Sequence, residues 1–257
     1  MFTHNVPIFE KGRVLKTGML DMLRDYPLNF LDIHYQYYSD GIIAGAEVIV
    51  DDERLTVSRG IVKYDGRMYL LEQDYQVRYE ATGRETFLKI RFYPEERDSD
   101  YYRSLSEIVL SEEASQPNEL ELTRFKLKEG ARLRLDYTSF EDMATEYNTL
   151  NLIHRQHAGR TRHTLSPVVT RYFATELLKS GTTDPYDVSC AMQCLNESAV
   201  DRELIELYAA NRLRSEHKPY DNGQLHRMLG RILNEAAAGG RTRPEMRLGG
   251  TRRLLVD

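Results

Sequence analysis

Tryptophan is absent from these 257 residues, and cysteine occurs twice. No apolar run approaches the roughly 20 residues that a membrane helix needs, so a membrane-spanning segment is not expected. The cysteines, Cys190 and Cys194, lie four apart in a segment that reads as helix. That spacing puts both on one helical face, a poor host for a disulfide between them. A disulfide scaffold is therefore excluded, and a reducing site of synthesis, the cytoplasm, is the expectation. The opening "MFTHNVPIFEKGRVLK" has no apolar stretch ahead of a cleavage site, so no Sec-type leader is read there.

Charge of one sign is also missing. Lys and Arg number 35 against 40 Asp and Glu, a net of −5. A general nucleic-acid footprint would need a strongly basic surface, which this balance does not supply. No G-x-S-x-G elbow, P-loop, dinucleotide fingerprint or H-E-x-x-H occurs. The chain accordingly reads as not an enzyme, with no catalytic residue and no cofactor. His154 and His157, spaced i, i+3, with His163 nearby, are the one arrangement that suggests a metal. A third ligand is lacking, and neither cysteine is forced close, so these read as surface or interface histidines and no metal site is expected. The cysteines read as small apolar groups packed in a helical core.

What is present changes character near residue 139. Residues 1–139 hold 19 Lys and Arg against 25 Asp and Glu; residues 140–257 hold 16 against 15. The first part reads mainly in the period of 2 that marks strands, the second in the period of 3.6 that marks helices. The fold class expected is α+β: a mainly antiparallel β domain with lead-in helices over 1–139, a small helical bundle over 140–239, and an extended Arg-rich arm over 240–257.

In the first part, "LKTGMLDMLRDY" reads as a short helix that Pro27 interrupts, with "LNFLDIHYQYY" following at helical spacing. Strands are expected over 46–50, 55–58, 61–64, 67–71, 75–79 and 86–93. "YDGR" between two of them is an Asp-Gly hairpin signal. The acidic stretch 94–118 reads as a loop or flap. "ELELTRFKL" and "ARLRLDY" read as a terminal hairpin with one charged face, whose Arg124, Lys126, Lys128, Arg132 and Arg134 suit cross-strand ion pairs with Glu119 and Glu121.

The second part is a series of capped helices, over about 140–157, 167–179, 185–195, 199–214 and 222–238. Ser166-Pro167 and Asp184-Pro185 each place a capping side chain before a proline. Ser198 stands before the fourth helix, and Asp221 with Gln224 resembles a capping box. The end, "AAAGGRTRPEMRLGGTRRLLVD", carries Arg241, Arg243, Arg252 and Arg253 and closes on Leu254, Leu255 and Val256. Nucleic-acid contact, docking on a neighbouring subunit and plain solvation all fit the arginines. The apolar end favours docking.

One stretch resembles something known. "YSDGIIAGAEVIVDDERLTVSRGIVKYDGRMYLL" is similar to a turn-and-strand unit of structural proteins in phage tails and related contractile particles. The matching residues are Asp40, Gly41, Ile42, Ile43, Gly45, Val48, Leu55, Val57, Gly60, Val62, Asp65, Gly66 and Tyr69. With the lead-in helix, the resemblance covers about residues 14–93. It implies a non-enzymatic baseplate or adaptor protein, assembled into a phage tail or tail-like particle as a homo- or hetero-oligomer with other tail or baseplate subunits. The alternative is a nucleic-acid-associated module using the basic hairpin and arm. The contact residues expected are Tyr35, Tyr37 and Tyr38, then Arg241, Arg243, Arg252, Arg253, Leu254 and Leu255.

Overall fold

Helix α1 (Thr17–Tyr35) leads into a run of short antiparallel strands, and four further helices close the described chain. The computed structural model describes residues 1–51 and 53–240. The architecture is α+β, with β-structure in the N-terminal part and helices in the C-terminal part. The arm residues Arg241, Arg243, Arg252, Arg253, Leu254 and Leu255 lie outside the described residues.

The chain divides into two compact units. The first comprises Met1–Glu80, Thr86–Leu122 and Gln156–Thr164. Its strands are β1 (Gly41–Gly45), β2 (Val48–Val50), β3 (Arg54–Val57), β4 (Gly60–Tyr64), β5 (Arg67–Leu71), β6 (Tyr75–Arg78), β7 (Glu85–Phe92, from Thr86), β8 (Glu96–Arg97), β9 (Tyr102–Arg103), β10 (Ser106–Ser111) and the first half of β11 (Glu119–Lys126), whose residues from Thr123 belong to the second unit. They form sheets in the orders β1-β4-β5, β2-β3-β6 and β10-β7-β11, with β8 and β9 as a separate hairpin. The Asp65-Gly66 turn joins β4 to β5, with Tyr64 facing Arg67. Both turn residues have positive φ, 48° and 73°, as the tight hairpin turn demands. Ile42, Leu55, Val57, Leu88, Phe92 and Leu122 are buried in this unit.

The glycines of "GIIAG" sit in β1 itself, where other chain passes close by. A Cβ on Gly41 would stand 2.7 Å from the Ala158 amide nitrogen, and one on Gly45 would overlap the Arg59 carbonyl oxygen. The returning segment causes the first of these approaches: the Ile42 N–H donates to the Gln156 carbonyl, and the Ala158 N–H donates to that of Ile42.

The second unit holds the described residues from Leu165 onward, with Ala81–Glu85 and Thr123–Arg155. Its helices are α2 (Pro167–Lys179), α3 (Pro185–Asn196), α4 (Arg202–Arg212) and α5 (Asn222–Gly240). Ser166 and Asp184 accept from the N–H groups of Val168 and Tyr186, as their positions before proline suggest. Asp221 and Gln224 bond reciprocally, at 2.7 and 3.0 Å. The helices enclose Leu165, Phe173, Leu177, Ile205, Leu225 and Ile232 together with both cysteines. The Cys190 thiol is pushed up by its hydrogen bond with Cys194 first and by burial second.

Five local expectations fail, the first three for a non-local reason. No helix spans 140–157: a 3-10 turn at Glu141–Ala144 gives way to extended chain, with Asn148 left-handed at φ 61°. Tyr147, Thr149 and Asn151 there bridge to Lys126, Arg134 and Arg124, so their backbone bonds go to distant chain rather than along a helix. The 94–118 stretch is not simply loop, because β10 pairs with β7 from Ser106 opposite Phe92 to Ser111 opposite Phe87. The charged hairpin does not form either: β11 lies beside β7, and in "ARLRLDY" Arg134 bridges to Thr149 instead. The fourth helix is capped by Asp201, which accepts from Glu203 N–H at 2.9 Å, rather than by Ser198. Pro27, finally, sits inside one continuous α1. A proline removes a single N–H donor, and the turns on both sides keep theirs.

Candidate interaction surface

Residues 17–35, "TGMLDMLRDYPLNFLDIHY", hold four leucines and two methionines, which are good helix formers. Asp21 and Arg24 pair at i, i+3, 3.3 Å apart, and Arg24 also meets Asp25 at 2.6 Å. The Arg24 guanidinium holds the Asp25 carboxyl below its usual range.

What sets α1 apart is that none of its residues is buried. Leu20, Leu23, Tyr26, Leu28, Phe30 and Ile33 are all at least 48% exposed, Ile33 reaching 67%. Leu20, Leu23, Pro27 and Phe30 recur at spacings of three and four, and Met19, Met22, Tyr26 and Ile33 form an adjoining stripe. A helix apolar on most of its circumference belongs in a buried setting. The chain before it continues the pattern, since Phe2, Val6, Ile8, Phe9, Val14 and Leu15 are exposed as well. Covering the half-exposed area of one such side chain is worth roughly 1 kcal/mol, so a partner along the helix would gain several.

The C-terminal end of α1 is pinned. Lys63, 8% exposed on β4, donates from Nζ to the Tyr35 carbonyl at 2.7 Å and the Tyr38 carbonyl at 2.6 Å. A cation is thereby set on the terminal carbonyls, which also favours it through the helix dipole. The Tyr35 and Tyr38 rings meet edge to face, 5.2 Å between centroids, and both are half-buried. Tyr38 bridges to Arg160, and the Tyr37 carbonyl accepts from Thr161 N–H at 2.9 Å. Tyr37 points outward at 72% exposure. Of the three tyrosines singled out in the sequence, two hold the helix end and one faces solvent. The exposed leucines and Phe30 were the residues missed. Their signal was the apolar character on more than one face of the segment.

The basic residues of 119–134 are engaged locally. Glu119 is buried between Lys89, 2.6 Å away, and Arg91, 2.8 Å away. Burial pushes its carboxyl up, but hydrogen bonds from Lys89, the Gln116 N–H and Arg91 prevail and hold it at about 2. Arg134 grips both Asp142 oxygens, at 2.7 and 2.6 Å, and with the Thr138 N–H holds that carboxyl well below the usual range. Lys126 pairs with Glu146. Lys126 and Arg134 are thus absorbed by ion pairs, with Glu146 and Asp142 rather than with Glu119 of the row, and Lys128 lies 4.3 Å over the Tyr147 ring.

The histidines are not a surface pair. His157 is 4% exposed and exchanges backbone hydrogen bonds with Thr164, while His154 is half-buried. Among the described residues no group of three or more His, Cys, Asp or Glu is arranged to hold a metal ion. No helix among them is long and apolar enough to cross a membrane.

No protein-family model matches the chain, and no curated protein matches it. Among solved structures, the chain is similar to the crystal structure of TssK, with a TM-score of 0.43 and 12% identity over 94% of this chain and 73% of that one. It is also similar to a chain of the type VI secretion system TssK–TssF–TssG baseplate subcomplex seen by cryo-electron microscopy (0.41, 13%, 91% and 100%). A chain of the baseplate complex from the type VI secretion system gives 0.33 and 13%, over 90% and 100%. These resemblances are distant, and they carry no argument about the surface just described.

Proposed function

We propose that this chain is a structural, non-enzymatic component of a phage tail or tail-like contractile particle, of baseplate or adaptor type, that works by binding neighbouring subunits. The observation that carries the reading is α1, an apolar 19-residue helix with no buried residue, held at one end by Lys63. A surface of that kind is stable only when covered, and large exposed apolar patches mark protein–protein contact. The turn-and-strand pattern over residues 40–71 is the support for the tail-like setting. Tyr37, beside the helix end, is the proposed aromatic contact, with Tyr35 and Tyr38 shaping its base. Arg241, Arg243, Arg252, Arg253, Leu254 and Leu255 are proposed as a second contact element.

The experiment is solution mass by light scattering, for the chain alone and with the products of adjacent genes. It is repeated with the double substitution Leu23→Asp and Phe30→Asp. Both residues are exposed, so the fold survives while the patch is lost. A defined oligomer or co-complex that the double variant fails to form supports the reading. A monomer that ignores those products removes it.

A further inference from the structure

Among the described residues, strands β5 and β10 each have a neighbouring strand on one side only, β4 and β7. Between β5 and β10 opens a cavity of about 250 Å³, within the β-rich unit. Val57, Val62 and Ile90, all buried, form its floor. Leu71 of β5 and Ile108 of β10, both half-buried, form its walls, and Leu70 stands at its mouth, 63% exposed. The two-residue turn makes Tyr64 and Arg67 a hydrogen-bonded pair, and the alternation repeats at Val62 with Tyr69 and at Gly60 with Leu71. The N–H and C=O groups of Met68 and Leu70 therefore point away from β4. The edge of β1, by contrast, is covered where Ile42 bridges to His157. An open edge beside an apolar cavity offers an added strand backbone bonds and side-chain burial together.

We infer that the segment before α1 of a second copy adds to β5 as a short parallel strand, with its Val6 and Ile8 side chains in the cavity. Three facts select that occupant. The first is that the segment lies outside every sheet, with Val6, Ile8 and Phe9 67%, 57% and 55% exposed. The second is Pro7. In a parallel pairing Val6 and Ile8, beside Tyr69 and Leu71, make the backbone bonds to β5, and the missing Pro7 N–H falls on the far side. An antiparallel strand with the same two side chains in the cavity would need that N–H opposite Leu70. The third is charge. The parallel direction brings Lys11 to Glu72, just past the end of β5, whereas the antiparallel one brings it toward Arg67. Neither Lys11 nor Glu72 has an ion-pair partner among the described residues. The volume suffices as well: a cavity of roughly 150 Å³ takes a benzene, so this one takes two aliphatic side chains.

The choice of a second copy rests on α1 being a subunit contact. Lys63 fixes α1 at Tyr35, and none of the helix's residues is buried, so α1 carries the segment off its own sheets. The 19-residue helix is about 28 Å long. Ile8 and Phe9 share a small pocket with Met19, near the end far from Lys63, and the His4 ring meets that of Tyr26 at 6.5 Å. An α1 that packs on a neighbour thus delivers these side chains to that neighbour. The burial of Val6 and Ile8 supplies most of the gain. The Lys11–Glu72 contact at the rim sets direction and is worth little by itself.

The test is oxidative cross-linking of two full-length chains mixed in equal amounts, one carrying Pro7→Cys and the other Leu70→Cys. In this register Pro7 lies beside Leu70, on the face of β5 away from the cavity. Leu70 is exposed, so its replacement leaves the core in place, and Cys190 and Cys194 are buried in both chains. The mixed dimer is expected to form about tenfold faster than with Ile8→Cys in place of Pro7→Cys, because that thiol points to the other face. Lys11→Glu is expected to slow it about threefold, and Glu72→Lys on the receiving chain to restore it. A mixed dimer that forms no faster than the Ile8→Cys control, or no restoration by the charge swap, overturns the inference. If the parent still assembles in that case, the reading of α1 stands; a parent that stays monomeric overturns both. A bond formed within single chains that carry both substitutions, in place of the mixed dimer, also overturns the inference and assigns the cavity to the chain's own segment.

Discussion

Lys63 donates from its Nζ to the Tyr38 carbonyl at 2.6 Å, and the same ammonium reaches the Tyr35 carbonyl at 2.7 Å. A side chain in the middle of the β4 strand thereby terminates a helix that ends 28 residues earlier. Lys63→Met would leave two carbonyls unpaired at a part-buried site. The expected loss is about 2 kcal/mol in denaturant unfolding. Hydrogen exchange is expected to rise in the last turns of α1 while β4 stays protected. Unchanged exchange in α1 would mean that the helix end is held by something else.

Glu119 gives a pH signature. Its carboxyl is held at about 2 in the folded chain, below its ordinary 4.5. The unfolded chain therefore takes up this proton first as the pH falls. The contribution is complete above about pH 4.5 and drains away toward pH 2, on the order of 3 kcal/mol in all. Glu119→Gln is expected to flatten that part of the stability profile measured by urea unfolding. A profile of the same steepness in the variant would contradict the assignment to Lys89 and Arg91.

Gly45 and Gly66 both have positive φ, 64° and 73°, but their surroundings differ. Nothing lies within 4 Å of a Cβ added to Gly66, whereas one on Gly45 runs into the Arg59 backbone. Gly66→Ala is expected to cost about 1 kcal/mol, the strain of the left-handed conformation alone. Gly45→Ala adds a backbone clash and is expected to cost at least about 3 kcal/mol. Thermal unfolding of the two variants side by side checks this. Equal losses would mean that the strands β1 and β4 can part more easily than their close approach implies.

These residues also show what a sequence makes legible. The caps at Ser166, Asp184 and Asp221 were readable because a cap is a contact between neighbours in the chain. So was the Asp65-Gly66 hairpin turn. The stretch 140–157 was not readable, because its composition allows a helix and the decision lies with Arg124, Lys126 and Arg134, to which it bridges. Residues 156–164 return to the β-rich unit with no local signal at all, through hydrogen bonds to Ser39 and Ile42. For the candidate surface the tyrosines at 35–38 marked the right neighbourhood. They did not reveal that the helix before them is bare. Exposure follows from what fails to pack against a segment, and no residue of the segment encodes that.

The most direct measurement of the central claim is the solution mass of the chain, alone and with products of adjacent genes, set against the Leu23→Asp and Phe30→Asp double variant. If α1 is a subunit contact, the parent forms a defined oligomer or co-complex, and the double variant, with its circular dichroism unchanged, does not. A parent that stays monomeric in every mixture, or a double variant that assembles as well as the parent, would contradict it.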